Sequence, residues 1–463
     1  MTNRPNIILI VSDDHGYGDR SALGAVDVST PALDRLAAEG ATMDEAYVTA
    51  PICSPSRSAI ISGVHQARWG AKWFDSSRFP PEQVPTLAER LRDQGYRTGY
   101  FGKVHYGPEK PGDRACPPGH GFDESFYGLA GGQMGRLNYL HHSQQTVDEY
   151  GPVASTRMAV APLFEGTEQV EYEGFLTAEL GRRARDFVQR HHDEPFFAMV
   201  AFNAVHNFCW QLPDDELSKR GLPKHDDWTP AIGDYGEWYD DAIAPNLEHG
   251  RAYYLAQLEL MDAEIGALLD SLDAAGLAED TIVVYTTDNG GSTCNFGDNT
   301  PLRGTKYTLW EGGIRVPMLV RWPAGGVPGG VRRSGLFSTL DLVPTLTAAA
   351  GSTATGGDGH DQWELIRADS TSPHRHLYWT TGWSWAVRDG TWKLSWVDPD
   401  SSEAAAVARQ QHAEIGSGLF LADLRQDPGE TVNRAGDRAD IVATLTEEFD
   451  RWSEEVSTVG SLG

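Results

Sequence analysis

The sequence predicts an α/β protein with a mostly parallel central sheet, helices on both of its faces, and a smaller C-terminal α+β subdomain built on an antiparallel sheet. Short, continuously apolar runs rich in β-branched and aromatic residues predict strands that are buried on both faces. Amphipathic helical patterns lie between these runs, and such alternation is typical of a parallel sheet. From about Ser372 onward, aromatic and polar residues alternate, which predicts antiparallel hairpins. The strand runs are NIILIV (6–11), TGYF (98–101), FFAMVAF (196–202), TIVVYTT (281–287) and VPMLVRW (316–322).

The helices are predicted from their start and stop signals. The segment STPALDRLAAEG places Thr30 at a capping position, a proline at the first helical position and Gly40 at the end. PTLAERLRDQG repeats this design with Thr86 and Gly95. The longest helix is predicted over about 251–275, because its apolar residues recur on one broad face.

The C-terminal part of the chain has its own pattern. The run HLYWTTGWSWAVRDGTWKLSWV (376–397) predicts hairpins around the turn RDGT, and ADIVATLTEEFDRWSEEV (439–456) predicts a closing helix. The glycine-rich stretch GSTATGGDGHD precedes them. We therefore predict a larger domain over residues 1–370 and a C-terminal subdomain over residues 371–463.

Composition excludes several classes of function. The chain has 66 acidic residues against 38 lysines and arginines, a formal net charge of -28, so binding to nucleic acid or to an anionic membrane surface is not expected. The apolar run in its start, MTNRPNIILIVSDDHG, is too short for a signal peptide or a membrane span, so we expect a cytoplasmic protein. The four cysteines show no paired spacing, which indicates neither a disulfide framework nor a zinc site.

Acidic residues follow two of the predicted strands. Asp13 and Asp14 come after the first strand, and Asp288 and Asn289 come after the strand that precedes Gly290. Carboxylates brought together at one sheet edge repel each other unless a cation neutralises them, and an all-oxygen set suits calcium or magnesium. Taken one at a time, each pair is also an ordinary turn signal.

Basic residues follow other strands. Lys103 and His105 lie just past one strand, His206 past another, and Lys306 lies in the loop after the Asp288 region. Singly they are typical of solvated lysines and of packed histidines. Together with Arg57 they predict an anion pocket beside a metal, which is how a sulfuryl or phosphoryl group is held.

The stretch CSPSR (53–57) lies where this pocket would meet the start of a helix, if Pro55 is the first helical residue and Gly63 marks the end. A helix N-terminus favours an anion, so Cys53 is a candidate thiolate with a lowered pKa. A thiolate is a poor match for a hard cation that prefers oxygen ligands, however. The residue pattern alone leaves this conflict open.

With these motifs in place, the chain resembles the formylglycine-dependent sulfatases of the alkaline phosphatase superfamily. CSPSR is similar to their modification signature C-x-P-x-R, and GYRTGYFGKVH to their second signature G-Y-x-T-x-x-x-G-K-x-H. The segments DD, TDNGG, GTKYTLWEGGIRVP and LADLRQDPGETVN follow in the order of that family. Two departures are Ser62, where the family usually has threonine, and Val205, where many relatives have proline. The resemblance implies an alkaline-phosphatase-like fold with a catalytic domain over residues 1–370.

The resemblance also implies a cofactor set. Cys53 would be oxidised to Cα-formylglycine by a formylglycine-generating enzyme of the host, and the hydrate of this aldehyde would be the nucleophile. Asp13, Asp14, Asp288 and Asn289 would hold calcium together with the modified Cys53, magnesium being the less expected ion.

The remaining roles follow from the same resemblance. Arg57 would steady the diol, while Lys103, His206 and Lys306 would grip the sulfate. His206 or Lys306 would protonate the leaving alcohol. His105 would help to remove a proton from the second diol oxygen, so that sulfate is expelled and the aldehyde returns.

The predicted activity is therefore hydrolysis of a small-molecule sulfate ester of a sugar or of an aryl or alkyl alcohol, with a mono- or oligosaccharide as our hypothesis. Two alternatives stay open: a phosphonate monoester or phosphodiester hydrolase of the same superfamily, and a catalytically silent binding protein on the same scaffold. The pair Asp288 and Asn289 favours sulfate, because the phosphonate enzymes often have Asp-His there. Aromatic residues in LYWTTGWSW (377–385) and NYLHHS (138–143) either line a ring-binding pocket or are ordinary packing.

Overall fold

A computed structural model of the chain describes residues 4–354 and 356–458. The strands of the described residues are β1 (Asn6–Ser12), β2 (Ala41–Met43), β3 (Ala46–Tyr47), β4 (Arg97–Val104), β5 (Glu124–Leu129), β6 (His141–His142), β7 (Leu163–Glu165), β8 (Glu168–Val170), β9 (Tyr172–Glu173), β10 (Phe196–Ala201), β11 (Thr281–Thr287), β12 (Met318–Arg321), β13 (Val331–Arg333), β14 (Phe337–Ser338), β15 (Leu377–Thr380), β16 (Ser384–Arg388), β17 (Trp392–Val397) and β18 (Gly418–Asp423). The helices are α1 (Pro31–Glu39), α2 (Cys53–Ser62), α3 (Leu87–Asp93), α4 (Gln144–Met158), α5 (Leu176–Arg190), α6 (Asp214–Arg220), α7 (Tyr235–Trp238), α8 (Gly250–Ala274), α9 (Glu311–Ile314), α10 (Leu342–Ala349), α11 (Trp363–Ala368), α12 (Ser402–Gln411) and α13 (Ala439–Ser457).

The central sheet has the strand order β13-β2-β12-β11-β1-β10-β4-β5-β7-β8. Its middle, from β11 to β5, is entirely parallel, and antiparallel pairing begins at β12 on one side and at β7 on the other. The predicted strand near 316–322 therefore exists as β12 but runs antiparallel to its neighbour. The mostly parallel α/β fold predicted from the sequence is confirmed.

The sheet is covered on both faces because alternate side chains of its strands enter two different cores. In β1, Ile8 and Ile10 pack in the core that also holds apolar residues of α1, α5 and α8. Ile7, Leu9 and Val11 pack in the opposite core with apolar residues of α2, α3, α10 and α11. This burial on both faces explains why the strands read as continuous apolar runs.

The C-terminal sheet is antiparallel throughout, in the order β15-β16-β17-β18. The turn RDGT connects β16 to β17, as predicted, and α13 packs against the sheet through Leu445, Phe449 and Trp452. The buried Lys393 of β17 contacts Glu311 of α9 at 3.0 Å, which ties this sheet to the larger body of the chain. The division at residue 370 stays a prediction. Among the residues that the structure describes, no helix is both long enough and apolar enough to cross a bilayer.

Two predicted helix starts have different outcomes. Thr86 caps α3 as predicted, since its Oγ1 accepts from the amide of Glu89 at 3.1 Å and the Glu89 carboxylate accepts from the amide of Thr86. Thr30 precedes α1, but its side chain does not cap that helix. Instead Asp262 of α8 accepts from the amides of Ala32 and Leu33, at 2.8 and 2.9 Å. A carboxylate from a distant helix thus replaces the local cap.

We expect Asp262→Ala to lower the free energy of unfolding by about 1–3 kcal/mol, because two amides at the start of α1 lose a buried acceptor. Burial raises the pKa of Asp262 to about 6. The unfolded chain releases this proton at an ordinary aspartate pKa, so the folded state loses stability as the pH rises from about 4 to about 6. The loss caused by alanine should therefore be larger near pH 4 than near pH 7, as measured by urea denaturation.

Asp270→Ala is the matched control for this prediction, because Asp270 lies on the same helix. Its carboxylate is 77% exposed and pairs with Arg35 at 2.9 Å, a surface contact worth about 1 kcal/mol or less. Equal, pH-independent losses in both variants would contradict the capping role of Asp262.

Candidate active site

The site lies where four neighbouring parallel strands end. β11, β1, β10 and β4 lie side by side in this order, and the carboxyl ends of parallel strands meet at one edge of a sheet. The structure brings all the residues predicted at strand ends to this edge: Asp13 and Asp14 after β1, Asp288 and Asn289 after β11, Lys103 and His105 at the end of β4, and His206 after β10.

Three carboxylates and one carboxamide form the acidic part of the site, and all four side chains are buried. The amide of Asp14 donates to Asp288 Oδ1 at 3.3 Å, and Asn289 Nδ2 donates to Asp14 Oδ1 at 2.6 Å. Asp14 has a φ of 57°, a left-handed conformation that aspartate tolerates better than most residues. Asp13 Oδ1 and Asn289 Oδ1 are buried and accept no hydrogen bond from the described residues. Two oxygens of the set are thus left for another partner.

Arg57 and Lys103 contact these carboxylates directly. Arg57 Nε donates to Asp288 Oδ2 at 2.7 Å, and its Nη2 lies 3.5 Å from Asp13 Oδ2. Lys103 Nζ lies 2.5 Å from the same Asp13 oxygen. Neither cation is accessible to bulk solvent. The pairing offsets part of the cost of burying so many charges together.

Lys306, in the loop after β11, is the third buried cation of the site. Its Nζ lies 2.7 Å from Asp14 Oδ1. Burial opposes the charged amine, but the Asp14 carboxylate outweighs it and raises the pKa of Lys306 well above its ordinary value. Burial raises the pKa of Asp14, although Lys306 acts in the opposite direction. Three buried carboxylates thus face three buried cations.

Two histidines flank the charged groups. His206 Nε2 lies 3.5 Å from Asp14 Oδ2, and Tyr139 Oη donates to the carbonyl of His206 at 3.2 Å. His105 Nδ1 is buried and has no hydrogen-bond partner among the described residues. Burial and the neighbouring lysines lower the pKa of both histidines well below the ordinary value. Both imidazoles are therefore neutral near pH 7.

Cys53 lies at the base of this cluster as the first residue of α2. Its Sγ, one carboxylate oxygen each of Asp13 and Asp14, and a ring nitrogen of His206 all lie within 4.8 Å of one another. Burial raises the pKa of the Cys53 thiol to about 12, which argues against an activated thiolate. Pro55 is the third residue of α2, so its predicted place at the first helical position is wrong.

A pocket of about 360 Å³ opens above Cys53. His105, His206 and Lys306 form part of its wall, and the rest comes from loops that the sequence analysis did not single out. The only local signal was a glycine-rich run before Arg136, GGQMG (131–135), since loop residues carry no periodic pattern. The polar side chains missed in this way are Ser77, Arg136, Asn207, Tyr239, Asn295, Gln410 and Gln411, and the larger apolar ones are Phe74, Met134 and Tyr307.

Neither of the two aromatic stretches lines this pocket, which favours the packing alternative. Tyr378, in the first stretch, stacks on Trp452 of α13 with ring centroids 4.9 Å apart, and Trp379 donates to the carbonyl of Val48 at 2.7 Å. Tyr139, in the second stretch, supports the His206 loop from behind. These aromatic residues therefore pack the subdomain and the site wall.

Comparison with known proteins decides the family. The model of the sulfatase family matches residues 5–352. The chain belongs to the sulfatase family. Arylsulfatase A of Bos taurus is 31% identical over 93% of this chain and 83% of its own. The N-acetylgalactosamine-6-O-sulfatase of Bacteroides thetaiotaomicron is 27% identical over 96% of this chain and 92% of its own. The crystal structure of Ps i-CgsB in complex with k-i-k-neocarrahexaose has a TM-score of 0.80 at 27% identity, covering 97% of this chain and 93% of that one.

This sulfatase is thus a sulfuric ester hydrolase, as the sequence predicted. Its resemblance to the family and its alkaline-phosphatase-like fold are confirmed. The sulfatases it matches are named for different alcohols, so similarity alone leaves the substrate of this sulfatase open.

Proposed function

We propose that this sulfatase hydrolyses a sulfate ester of a mono- or oligosaccharide, using a calcium ion and a formylglycine made from Cys53. The observation that carries the proposal is the position of Cys53. It lies buried at the base of the pocket, with its Sγ within 4.8 Å of ligand atoms of Asp13, Asp14 and His206. A sulfate group entering this pocket reaches the buried Lys306 and the residue at position 53 together.

The residues present fit a calcium ion. Asp13 Oδ1 and Asn289 Oδ1 are buried without a donor, and the carboxylates of Asp14 and Asp288 lie beside them. Hard divalent cations prefer such oxygen ligands. Asp13, Asp14, Asp288 and Asn289, with the modified Cys53, would hold the ion. Bound there, it would polarise the sulfate group and stabilise its developing charge.

Formylglycine at position 53 also fits the donor set. The encoded sulfur is a soft ligand among hard oxygens, whereas an oxygen in its place would complete an all-oxygen set. The hydrate of the aldehyde would supply the oxygen nucleophile. The oxidation would be carried out by a formylglycine-generating enzyme of the host, and the cytoplasmic location of the protein stays a prediction.

The remaining roles fall to side chains of this chain. Arg57 holds the modified residue, since its guanidinium is fixed by two carboxylates beside Cys53. Lys306, which lines the pocket, and Lys103, which lies behind it on Asp13, bind the sulfate oxygens. Neutral His206 donates a hydrogen bond to the sulfate. The proton for the leaving alcohol comes from Lys306, which carries one near pH 7, or from His206 once it has been protonated. Neutral His105 is free to accept a proton from the residue at position 53.

We expect the peptide that contains Cys53, isolated from active enzyme, to be lighter by the difference between a thiol and an aldehyde. The peptide that contains Cys116 is the internal control and should keep its thiol. Mass spectrometry of a tryptic digest makes both measurements. An unmodified Cys53 in fully active enzyme would contradict the proposed nucleophile.

Turnover of matched esters tests the reaction class. We expect kcat/KM for 4-nitrophenyl sulfate to exceed that for bis(4-nitrophenyl) phosphate and for a phenylphosphonate monoester. Faster cleavage of the phosphorus esters would favour the phosphonate or phosphodiester alternative. Binding of sulfate esters without any turnover by fully modified protein would favour the silent scaffold. A screen of sulfated sugars that found activity only on aryl sulfates would remove the saccharide hypothesis.

A further inference from the structure

Arg136 is a buried cation in the wall of the pocket above Cys53. It is 8% exposed, and its guanidinium carbon lies 4.7 Å from the ring centroid of Tyr235 and 5.3 Å from that of Tyr239. Nη1 donates to the carbonyl of Arg157 at 3.4 Å. No carboxylate oxygen of the described residues lies within 4.0 Å of a nitrogen of this guanidinium. Two aromatic rings, one carbonyl and a weak contact from Nη1 to Met134 Sδ at 3.9 Å are a poor substitute for the water that a guanidinium loses on burial.

In the described part of the chain, the pocket wall around Arg136 lacks acidic residues, which is unusual for such an acidic chain. The formal net charge is -28, yet none of the described residues that line the pocket is an aspartate or a glutamate. Unlike Lys103 and Lys306, Arg136 contacts none of the carboxylates at the strand ends. Its charge is therefore not used to balance the proposed metal ligands. An anion that enters with the substrate is the partner that remains.

The other groups of the wall suit a ring that carries polar substituents. Phe74 is 48% exposed and packs against Tyr307 with ring centroids 5.7 Å apart, which offers an apolar surface at the pocket. Asn207, Asn295 and Gln411 bring neutral amides to the wall. These amides bond to neighbouring side chains: Asn295 Nδ2 donates to Asn207 Oδ1 at 3.4 Å, and Gln411 Nε2 donates to a cysteine sulfur at 3.2 Å. A sugar ring with one further negative charge fits this combination of one cation, neutral amides and an aromatic surface.

We propose that Arg136 binds a second anionic group on the alcohol part of the substrate, a carboxylate or a further sulfate. The preferred substrates are then sulfate esters of acidic or multiply sulfated saccharides. This inference rests on the proposed function and makes its substrate class narrower. A planar guanidinium forms paired hydrogen bonds with either kind of oxyanion, so both share one recognition chemistry.

A matched series of sugars tests the inference. The 2-, 3- and 4-O-sulfates of methyl glucuronoside are compared with their carboxylate methyl esters, and the same sulfates of methyl glucoside are compared with and without a second sulfate at O6. In each pair the anionic member carries a second negative charge, and its neutral counterpart carries only the sulfate ester that is cleaved. We expect kcat/KM for an anionic member to exceed that for its neutral counterpart by about tenfold or more. Arg136→Gln should reduce this ratio at least about tenfold, and Arg136→Lys should keep part of it. A larger kcat/KM ratio in the glucuronoside series identifies the second anion as a carboxylate, and a larger ratio in the O6-sulfated series identifies it as a sulfate.

Arg157→Gln is the matched control, because its guanidinium lies 5.8 Å from the same Tyr235 ring but Arg157 does not line the pocket. This variant should keep the preference for the anionic sugar. If Arg136→Gln lowers kcat/KM equally for charged and neutral members, Arg136 serves the reacting sulfate or the fold, and the inference is overturned. Equal kcat/KM values for the charged and neutral members in the unmutated enzyme would overturn it as well.

Binding separates this inference from the proposed function. The dissociation constants of the same sugars are measured by calorimetry with calcium-loaded Cys53→Ala protein, with and without Arg136→Gln. Tighter binding of the anionic sugars that depends on Arg136, without turnover by the unmutated enzyme, would support the inference and contradict saccharide sulfate hydrolysis. Turnover of the sugars with charge-independent binding would contradict the inference alone.

Discussion

Replacing Cys53 with alanine is expected to lower kcat/KM for a sulfate ester by about 10⁴-fold or more, because it removes the proposed nucleophile. Cys53 is buried at the first turn of α2, and alanine fits the same space without a new polar group. The fold should therefore persist, with near-unchanged circular dichroism and thermal midpoint. Steady-state kinetics on 4-nitrophenyl sulfate measure the effect.

Cys209→Ala is the matched control for Cys53→Ala. Cys209 is also a buried free cysteine, but it does not line the pocket. Its loss should leave most of the activity, since only a weak contact to the carbonyl of Gly250 at 3.9 Å is removed. Near-normal turnover by Cys53→Ala would count against any covalent role for position 53. Equal losses in both variants would point to a general effect of removing a buried sulfur.

The fold was predictable because its strands are buried on both faces and its helices carry local signals. Alternate side chains of β1 pack into two different cores, so its residues form a continuous apolar run that a single sequence is enough to recognise as a strand. The cap of α1 was not predictable, because Asp262 comes from a helix more than two hundred residues away in the chain. The antiparallel direction of β12 was hidden for a similar reason: pairing direction depends on the path of the connecting loops.

Some residues of the candidate site were predictable from the sequence, and others were not. Residues such as Asp13 and Lys103 were predictable, because they directly follow or end parallel strands and the topology alone brings them together. Arg136 was not predictable, because it lies in an aperiodic loop and its lack of an acidic partner among the described residues appears only in three dimensions. The two aromatic stretches stayed ambiguous in the sequence, because aromatic residues serve both ring binding and packing. Their composition suits ring binding, but Tyr378 stacks on α13 instead.

The balance of charges in the site relates the proposed metal ion to binding of the sulfate. Three buried carboxylates and three buried cations cancel within the protein, so a divalent cation would leave two positive charges in excess. A sulfate group that gains negative charge as its ester bond breaks would be stabilised by that excess. In the proposed mechanism the cations would therefore compete with the metal for the carboxylates and would also support the reaction.

Lys103→Met is expected to lower kcat/KM by about 10²–10³-fold, because one buried donor to the sulfate is lost. Calcium should bind as tightly as before or more tightly. The reason is that Lys103 Nζ lies 2.5 Å from Asp13 Oδ2, where its charge opposes a bound cation. Methionine keeps an unbranched side chain in the same space without the charge. Kinetics and calorimetric titration with calcium measure the two effects separately.

Lys110→Met is the control for Lys103→Met, since Lys110 is an exposed lysine a few residues further along the chain. Its kcat/KM and calcium affinity should both stay within about twofold, because an exposed lysine contributes little beyond solvation. If Lys103→Met instead loses calcium affinity in proportion to activity, Lys103 supports the metal ligands rather than the sulfate. Opposite changes in the two measurements are specific to a cation that binds the substrate beside a metal, because a residue with a purely structural role would weaken both.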